Sequence, residues 1–467
     1  MFVGRSQELE SLNRLAARGT FQMVVVYGRR RVGKTALIQE FARDKPTLFF
    51  TAQQKSDALN LRAFSREAYR FFGVPESAGA FADWASAFSF VAEQAQQREP
   101  FVFAFDEFPY AAQANPSLPS TLQIAIDHSF KQTGIFMIVC GSNEGFMESE
   151  VLGAKSPLYG RRTGQVRLRP LEYREAARLM PTDDPESLVT YYATFGGTPY
   201  YLLQLDPSLP YEDNVRNLCF DMAGALYAEP QMLLRQELRE PALYSSILDA
   251  VASGATVPKR IADRSGVEEG TVGRYLKTLT DLGIVERVRP FGESERGRKS
   301  IYRLADPFFA YWYRFVSPYA DMVEYGLGST AARFALGDTL STYVGKQFES
   351  ICLQWLVGEA REGRLPCMPT ECGTWWGPDP EAREQVDVDV LVGTKYEKAL
   401  VAGECKWRNS FDETEAIRIL AHRAELIEGY TSRTLMLFAK HGVSEATAKK
   451  AAAMGNLRIV TAADLYA

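Results

Sequence analysis

The sequence predicts an α/β fold in successive parts, and three observations predict it. Near the N-terminus a continuous apolar, β-branched run, MVVVY, leads into a glycine-bearing loop and then a helical pattern. Such a run is what a parallel strand buried on both faces requires. In the middle of the chain, apolar residues at helical spacing mark two helices, a turn, a third helix and a hairpin. Near the C-terminus valines alternate with aspartates in EQVDVDVLVG, the pattern of a strand with one buried face.

Bulk properties narrow the function classes. The chain has 467 residues, which suggests about three domains. It is 46% hydrophobic and 24% charged, ordinary for a globular protein. No apolar run reaches the roughly 18 residues of a membrane span, and MFVGRSQELE lacks the charged-then-apolar layout of a signal peptide, so a cytoplasmic location is expected. The six cysteines form no CxxC, and only three histidines are present. That argues against a structural zinc site and against Ser-His-Asp catalysis. A net charge of -5 argues against a whole-chain nucleic-acid coat but leaves room for one local basic face.

The first motif is Gly28-x-x-x-x-Gly33-Lys34-Thr35, placed between the MVVVY strand and the helical ALIQEFA. Strand, glycine-rich loop and helix are the context in which backbone N–H groups cradle phosphates, aided by the positive end of the helix. Lys34 then reaches the β- and γ-phosphates, and the Thr35 hydroxyl ligates Mg²⁺. Arg29, Arg30 and Arg31 make the loop basic, and Val32 completes it. ATP with Mg²⁺ is the expected ligand.

A second strand, FVFAF, ends in Asp106-Glu107. Beside a phosphate loop, Asp106 is expected to hold the Mg²⁺ through water and Glu107 to polarise the attacking water. A third strand, GIFMIVCGSN, ends at Ser142-Asn143, where a polar side chain can touch the γ-phosphate or that water. In SPLYGRRTGQ, Arg161 and Arg162 are either charge-stabilising arginines, in cis or from a neighbouring subunit, or a pair of exposed arginines. The trans role needs a homo-oligomer.

In order, FVGRSQELE, YGRRRVGKT, FDEFPY, CGSN, SPLYGRRTG and FGGTPYYL resemble the archaeal-type ATPases, a branch of the STAND class of AAA+-related P-loop NTPases. The resemblance spans roughly the first half of the chain. It implies a P-loop core over residues 1–180, with Phe2 to Arg5 near the adenine. It also implies a helical lid over 181–240, in which Gly197 and Pro199 face the nucleotide. The lid carries no clear counterpart of the sensor arginine of many AAA+ proteins, which fits a slow switch better than a fast motor.

Residues 241–325 read as a winged helix-turn-helix. Ile261, Ala262, Val267, Val272, Tyr275, Leu276, Leu279 and Leu282 mark its apolar faces, and the hairpin tip carries Arg296, Arg298 and Lys299. The second helix presents Glu268, Glu269, Thr271, Arg274 and Lys277, a mixed face for phosphates. Contact with DNA or RNA and a purely intramolecular lever both remain open. The aromatic ADPFFAYWYRFVSPY that follows reads as a packing helix joining domains.

Residues 326–467 form the last part, in the order α-β-β-β-α-β. With Glu349, Asp387 and Glu404-x-Lys406 it resembles the PD-(D/E)xK phosphodiesterase core, an α/β restriction-endonuclease-like domain, and GECKW is typical of that resemblance. It implies that Glu349, Asp387 and Glu404 share a divalent metal and that Lys406 orients or activates the attacking water. The middle strand departs from the Glu-x-Asp pattern: Gln385, Val386 and Asp387 stand there, with an extra Asp389. Asp387, Glu404 and Lys406 can equally form an ion-pair network in a binding domain that does not cut. The expectation is an ATP-dependent switch coupled to a nuclease-like domain acting on nucleic acid. The alternative is a regulatory or sensor scaffold with slow ATP hydrolysis.

Overall fold

A computed structural model of the protein describes residues 2–75, 79–294, 297, 299–337 and 339–467. The chain divides into two compact units, Met1–Pro170 and Leu171–Ala467. The first unit therefore ends ten residues before the boundary expected from the sequence. The expected lid, winged helix and last domain share the second unit.

The first unit is built on a five-stranded parallel sheet: β1 (Gln22–Tyr27), β2 (Thr47–Thr51), β3 (Val102–Asp106), β4 (Phe136–Gly141) and β5 (Gly164–Arg167), in the order β2-β3-β4-β1-β5. The three central strands are buried along their whole length, which is why their sequences run apolar without alternation. Met23, Val25, Phe103 and Phe105 pack on one face with the helices Asp57–Phe72 and Trp84–Gln96. Val24, Val26, Ala104 and Ile138 pack on the other with Leu37, Ile38 and Phe41 of the helix Lys34–Ala42. Both layers hold the C-terminal ends of β1, β3 and β4 side by side, and the glycine-rich loop and the acidic pair emerge there.

In the second unit one continuous core runs from Leu171 to Leu465. It takes in the helix Pro185–Phe195, the three helices Pro241–Ala252, Pro258–Ser265 and Glu269–Asp281, and the long helix Thr339–Arg361. The hairpin of β6 (Val285–Val288) and β7 (Ile301–Leu304) is antiparallel. The aromatic segment is not one helix: Pro307–Tyr311 passes into a wider turn at Trp312–Val316 and a tight one at Ser317–Tyr319. Its rings are buried, Phe308, Phe309, Tyr311 and Trp312 among them, so the packing role read from composition stands. Gly197 passes so close to Leu171 that an added Cβ would lie 1.8 Å from the Leu171 carbonyl oxygen. Leu171 N–H donates to Gly197 O at 2.7 Å, so only glycine allows this approach.

The last part is a mixed five-stranded sheet: β8 (Glu371–Asp379), β9 (Glu384–Thr394), β10 (Ala399–Lys406), β11 (Ser432–Ala439) and β12 (Leu457–Thr461), in the order β12-β11-β10-β9-β8. β8, β9 and β10 form an antiparallel meander, while β10, β11 and β12 run parallel through helical crossovers. The strict alternation read in β9 fails at one point. The register of β8 against β9 slips between Gly373 and Trp375, so Asp389 and Val390 together face Thr374. This bulge re-aims the strand: Val388 packs with Leu391 and Leu400, whereas Val390 packs with Val401 and Phe438. Among the described residues no helix is long and apolar enough to cross a membrane.

Candidate nucleotide site and C-terminal acidic cluster

The glycine-rich loop is shaped by backbone conformations that its sequence permits. Gly28 and Gly33 lie at φ 151° and 92°, a region that favours glycine. A Cβ on Gly28 would fall 2.3 Å from Leu168 O. Gly33 caps the helix Lys34–Ala42. Lys34 is buried, and its ammonium donates to the carbonyls of Gly28 at 2.8 Å and Arg29 at 3.0 Å, spanning the loop from within. The Thr35 hydroxyl donates to Oδ2 of Asp106 at 3.0 Å. The strand ends thus bring together the hydroxyl and the carboxylate that the sequence named as ion-holding groups. A buried lysine, a helix N-terminus and a hydroxyl beside a carboxylate fit a Mg²⁺-nucleotide: Thr35 and Asp106 would hold the ion, and Lys34 with the loop N–H groups would hold phosphate.

Within the basic loop the arginines differ. Arg29 is buried, Arg30 donates to the Tyr110 hydroxyl, and Arg31 adopts a left-handed backbone at φ 71°. Val32 is fully buried and offers its carbonyl to Arg5 at 3.1 Å. Arg5 is itself buried and also donates to Arg169 O at 2.6 Å, tying the N-terminal segment to the loop and to the chain after β5.

Glu107 also has a left-handed backbone, at φ 51°. Its Oε2 accepts from the Ser142 hydroxyl at 2.9 Å and from the Ser142 amide at 3.3 Å. Of the polar pair ending β4, Ser142 makes this contact. The Asn143 side chain instead caps the short helix that follows, accepting from Phe146 N at 2.9 Å. The two arginines also separate. Arg161 donates to Asp127 through Nε at 3.0 Å and Nη2 at 2.7 Å, and to the carbonyls of Pro157 and Tyr159. Arg161 and Lys131 hold the Asp127 carboxyl down at about 2. Arg161 is thus engaged inside the domain by Asp127, whereas among the described residues Arg162 forms no such pair. Sequence reasoning missed Arg167, at the end of β5. It pairs with the buried Glu144 at 2.6 Å and lies over the Tyr27 ring. Burial raises the Glu144 carboxyl, and Arg167 opposes that rise. The signal was faint: an arginine closing a short strand after the RRTG turn.

Pro199 belongs to the second unit, where it opens the short helix Pro199–Leu202. In the C-terminal part, Lys406 donates to Oε1 of Glu404, while Oε2 of Glu404 is buried without a hydrogen-bond partner. Glu349 pairs with Lys346 at 2.6 Å, and burial raises its carboxyl. The expected ligand Asp387 is exposed at the rim and held by Arg423. Asp389 is the acid drawn inward. It accepts from Cys405 N at 2.8 Å, and burial, then Glu349 and Glu404, push its carboxyl up. Position along the strand is the physical reason: Asp389 adjoins Val390, the last residue of β9 paired with β10, whereas Asp387 lies beyond that pairing. Among the described residues no three His, Cys, Asp or Glu side chains converge tightly enough to hold a metal ion, so the expected set Glu349, Asp387 and Glu404 is not assembled as read. On the winged helix, Lys277 pairs with Asp281, and Arg274 lies against Tyr275. Arg296 and Arg298 of the hairpin tip lie outside the described residues.

Comparison with known proteins agrees with the first-unit geometry. A family model described as an ATPase domain predominantly from Archaea matches residues 2–205. An uncharacterized protein of Methanocaldococcus jannaschii is 30% identical over 412 residues, covering 88% of this chain and 89% of its own. The chain belongs to the archaeal-type ATPase family. Further matches to this ATPase are an IclR helix-turn-helix domain at 245–289 and, at 312–419, a family described as archaeal and bacterial proteins of unknown function. An uncharacterized ATP-binding protein of the same organism is 49% identical over 45 residues, covering 10% of the chain and 76% of that protein. Among solved structures, the Walker-type ATPase of Pyrococcus abyssi superposes with a TM-score of 0.50 at 20% identity, covering 67% of this chain and 96% of that one. That similarity supports the fold alone.

Proposed function

We propose that the protein binds ATP with Mg²⁺, hydrolyses it slowly, and uses its nucleotide state as a switch on a C-terminal domain that acts on nucleic acid. The observation carrying the ATPase reading is the 3.0 Å contact of the Thr35 hydroxyl with Asp106, beside a buried Lys34 that spans its own loop. Bound Mg²⁺ supplies charge neutralisation on the phosphates. The residues do the rest. Lys34 exchanges its loop carbonyls for phosphate oxygens. Glu107 leaves Ser142 to orient water. Arg162 is the arginine still available to meet developing charge, and if it acts in trans the protein works as a homo-oligomer. Slow turnover fits a Glu107 engaged elsewhere at rest. The test is ATP turnover in wild type and Lys34→Ala; equal rates would refute the assignment.

The nucleic-acid part rests on the IclR-type helix-turn-helix match and on the α-β-β-β-α-β order, with Glu404 and Lys406 at the end of β10. In the PD-(D/E)xK-like reading, the inward carboxylates Asp389 and Glu404 would have to close on a divalent ion, a set the described residues do not gather at rest, and Lys406 would take the water. A second reading, a STAND-type sensor whose last domain binds a partner without cutting, draws on the Glu404–Lys406 ion pair and the Asp387–Arg423 contact. Metal-dependent cleavage of DNA or RNA that disappears in Lys406→Ala selects the first reading. No cleavage on single- or double-stranded substrates selects the second.

A further inference from the structure

The hairpin between β6 and β7 does not stand clear of the molecule. Pro290 bridges to Thr374 on β8, Phe291 N–H donates to Thr374 O at 2.8 Å, and Gly292 N–H donates to Oε1 of Glu371 at 2.7 Å. The Phe291 ring is buried in the core of the last domain with Val388, Leu391 and Leu400, its centroid 6.1 Å from that of Tyr430. Where this root crosses the sheet edge it leaves a cleft of about 300 Å³. Phe291, Trp375, Trp376 and Tyr430 line it together with Lys299, Lys395, Glu293 and Glu428. Trp376 is half-buried and in contact with no other ring among the described residues, and both lysines are exposed.

We propose that this cleft takes unpaired bases of a single-stranded nucleic acid, with Trp376 as the stacking platform and Lys299 and Lys395 meeting the flanking phosphates. The inference rests on the reading of the last domain as acting on nucleic acid. Aromatic faces bind any base through its π-face, and flexible lysines follow a backbone without reading sequence. A duplex keeps its bases inside the stack and offers nothing for the tryptophan. The placement favours a strand over a free nucleotide. Pro290, Phe291 and Glu293 also line a second cleft of about 280 Å³ that contains Glu349 and Asp389. A strand seated on Trp376 therefore has the acidic cluster within reach along its length.

The test is fluorescence anisotropy on the full chain with labelled dT12, rU12 and a blunt 12-base-pair duplex, in EDTA and without ATP, so that only binding is read. Trp376→Ala is expected to weaken binding of both single strands by about tenfold, and Trp376→Phe to recover most of it. Lys299→Gln with Lys395→Gln should lower the log–log salt slope by about 1.4. Unchanged single-strand affinity in Trp376→Ala overturns the proposal. So does a duplex affinity that Trp376→Ala lowers as much as that of dT12, or tryptophan quenching by dTMP at the same concentration as dT12. A wild type that cuts with metal while Trp376→Ala binds normally removes the cleft alone. A wild type that binds through Trp376 yet never cuts keeps the cleft and removes the nuclease reading.

Discussion

The Ser142 hydroxyl donates to Oε2 of Glu107 at 2.9 Å, and the Ser142 amide reaches the same oxygen at 3.3 Å. The carboxylate proposed to orient water is thereby held on the neighbouring strand end, from a residue whose backbone is already left-handed. A net hydrogen bond is worth about 1 kcal/mol. Ser142→Ala is therefore expected to raise basal ATP turnover by roughly fivefold, and Glu107→Gln to abolish it. Slower turnover in Ser142→Ala would mean that the hydroxyl serves the reacting groups rather than restraining Glu107.

Lys34 closes its own loop through two carbonyls. Removing it takes away both the internal tie and the phosphate contact. Lys34→Ala should weaken ATP binding by at least about tenfold in a calorimetric titration, since hydrogen bonds to charged groups are worth about 1.5–3 kcal/mol. Thr35→Ala should instead spare binding in EDTA and remove its enhancement by Mg²⁺.

Arg161 and Arg162 are adjacent in sequence but differ in surroundings. Asp127→Asn and Arg161→Ala should each lower the melting temperature near neutral pH, while Arg162→Ala should lower turnover and leave stability alone. The Asp127 carboxyl sits below its ordinary range, at about 2. The stability it contributes is present above its unfolded pKa of about 3.9 and is lost as pH falls toward 2. The melting deficit of Asp127→Asn should therefore shrink between pH 5 and pH 3. A deficit constant across that window would assign it to something other than this pair.

In the last domain the acid on the bulge, not the exposed one, is expected to matter. If metal-dependent cleavage is found, Asp389→Asn and Glu404→Gln should each abolish it, and Asp387→Asn should leave it within about twofold. The reverse pattern would restore Asp387 to the role that the PD-(D/E)xK resemblance implied for it.

The first unit was legible in the sequence because its signals are local. The loop from Gly28 to Thr35 lies between one strand and one helix, and the Asp106-Glu107 pair ends a strand whose burial is written in its composition. What stayed hidden depends on partners far along the chain. Arg161 could be told from Arg162 only by Asp127, 34 residues earlier. Asp389 could be told from Asp387 only by where β10 stops pairing with β9, which a Val-Asp alternation does not show. The merging of lid, winged helix and last domain was equally silent. Tyr343, for example, donates to the carbonyls of Ala193 and Pro307 from the long helix, and no local pattern announces such a bond.

β8 is the outermost strand of its sheet, and an open strand edge is a template on which another chain can pair and start to aggregate. Phe291 N–H occupies the Thr374 carbonyl and Gly292 N–H occupies Glu371, so the hairpin root acts as a stopper on that edge. A chain cut between the hairpin and the long helix would uncover it and expose the buried place of the Phe291 ring. Fragments that begin after residue 325 should therefore collect in inclusion bodies where the intact chain stays in solution.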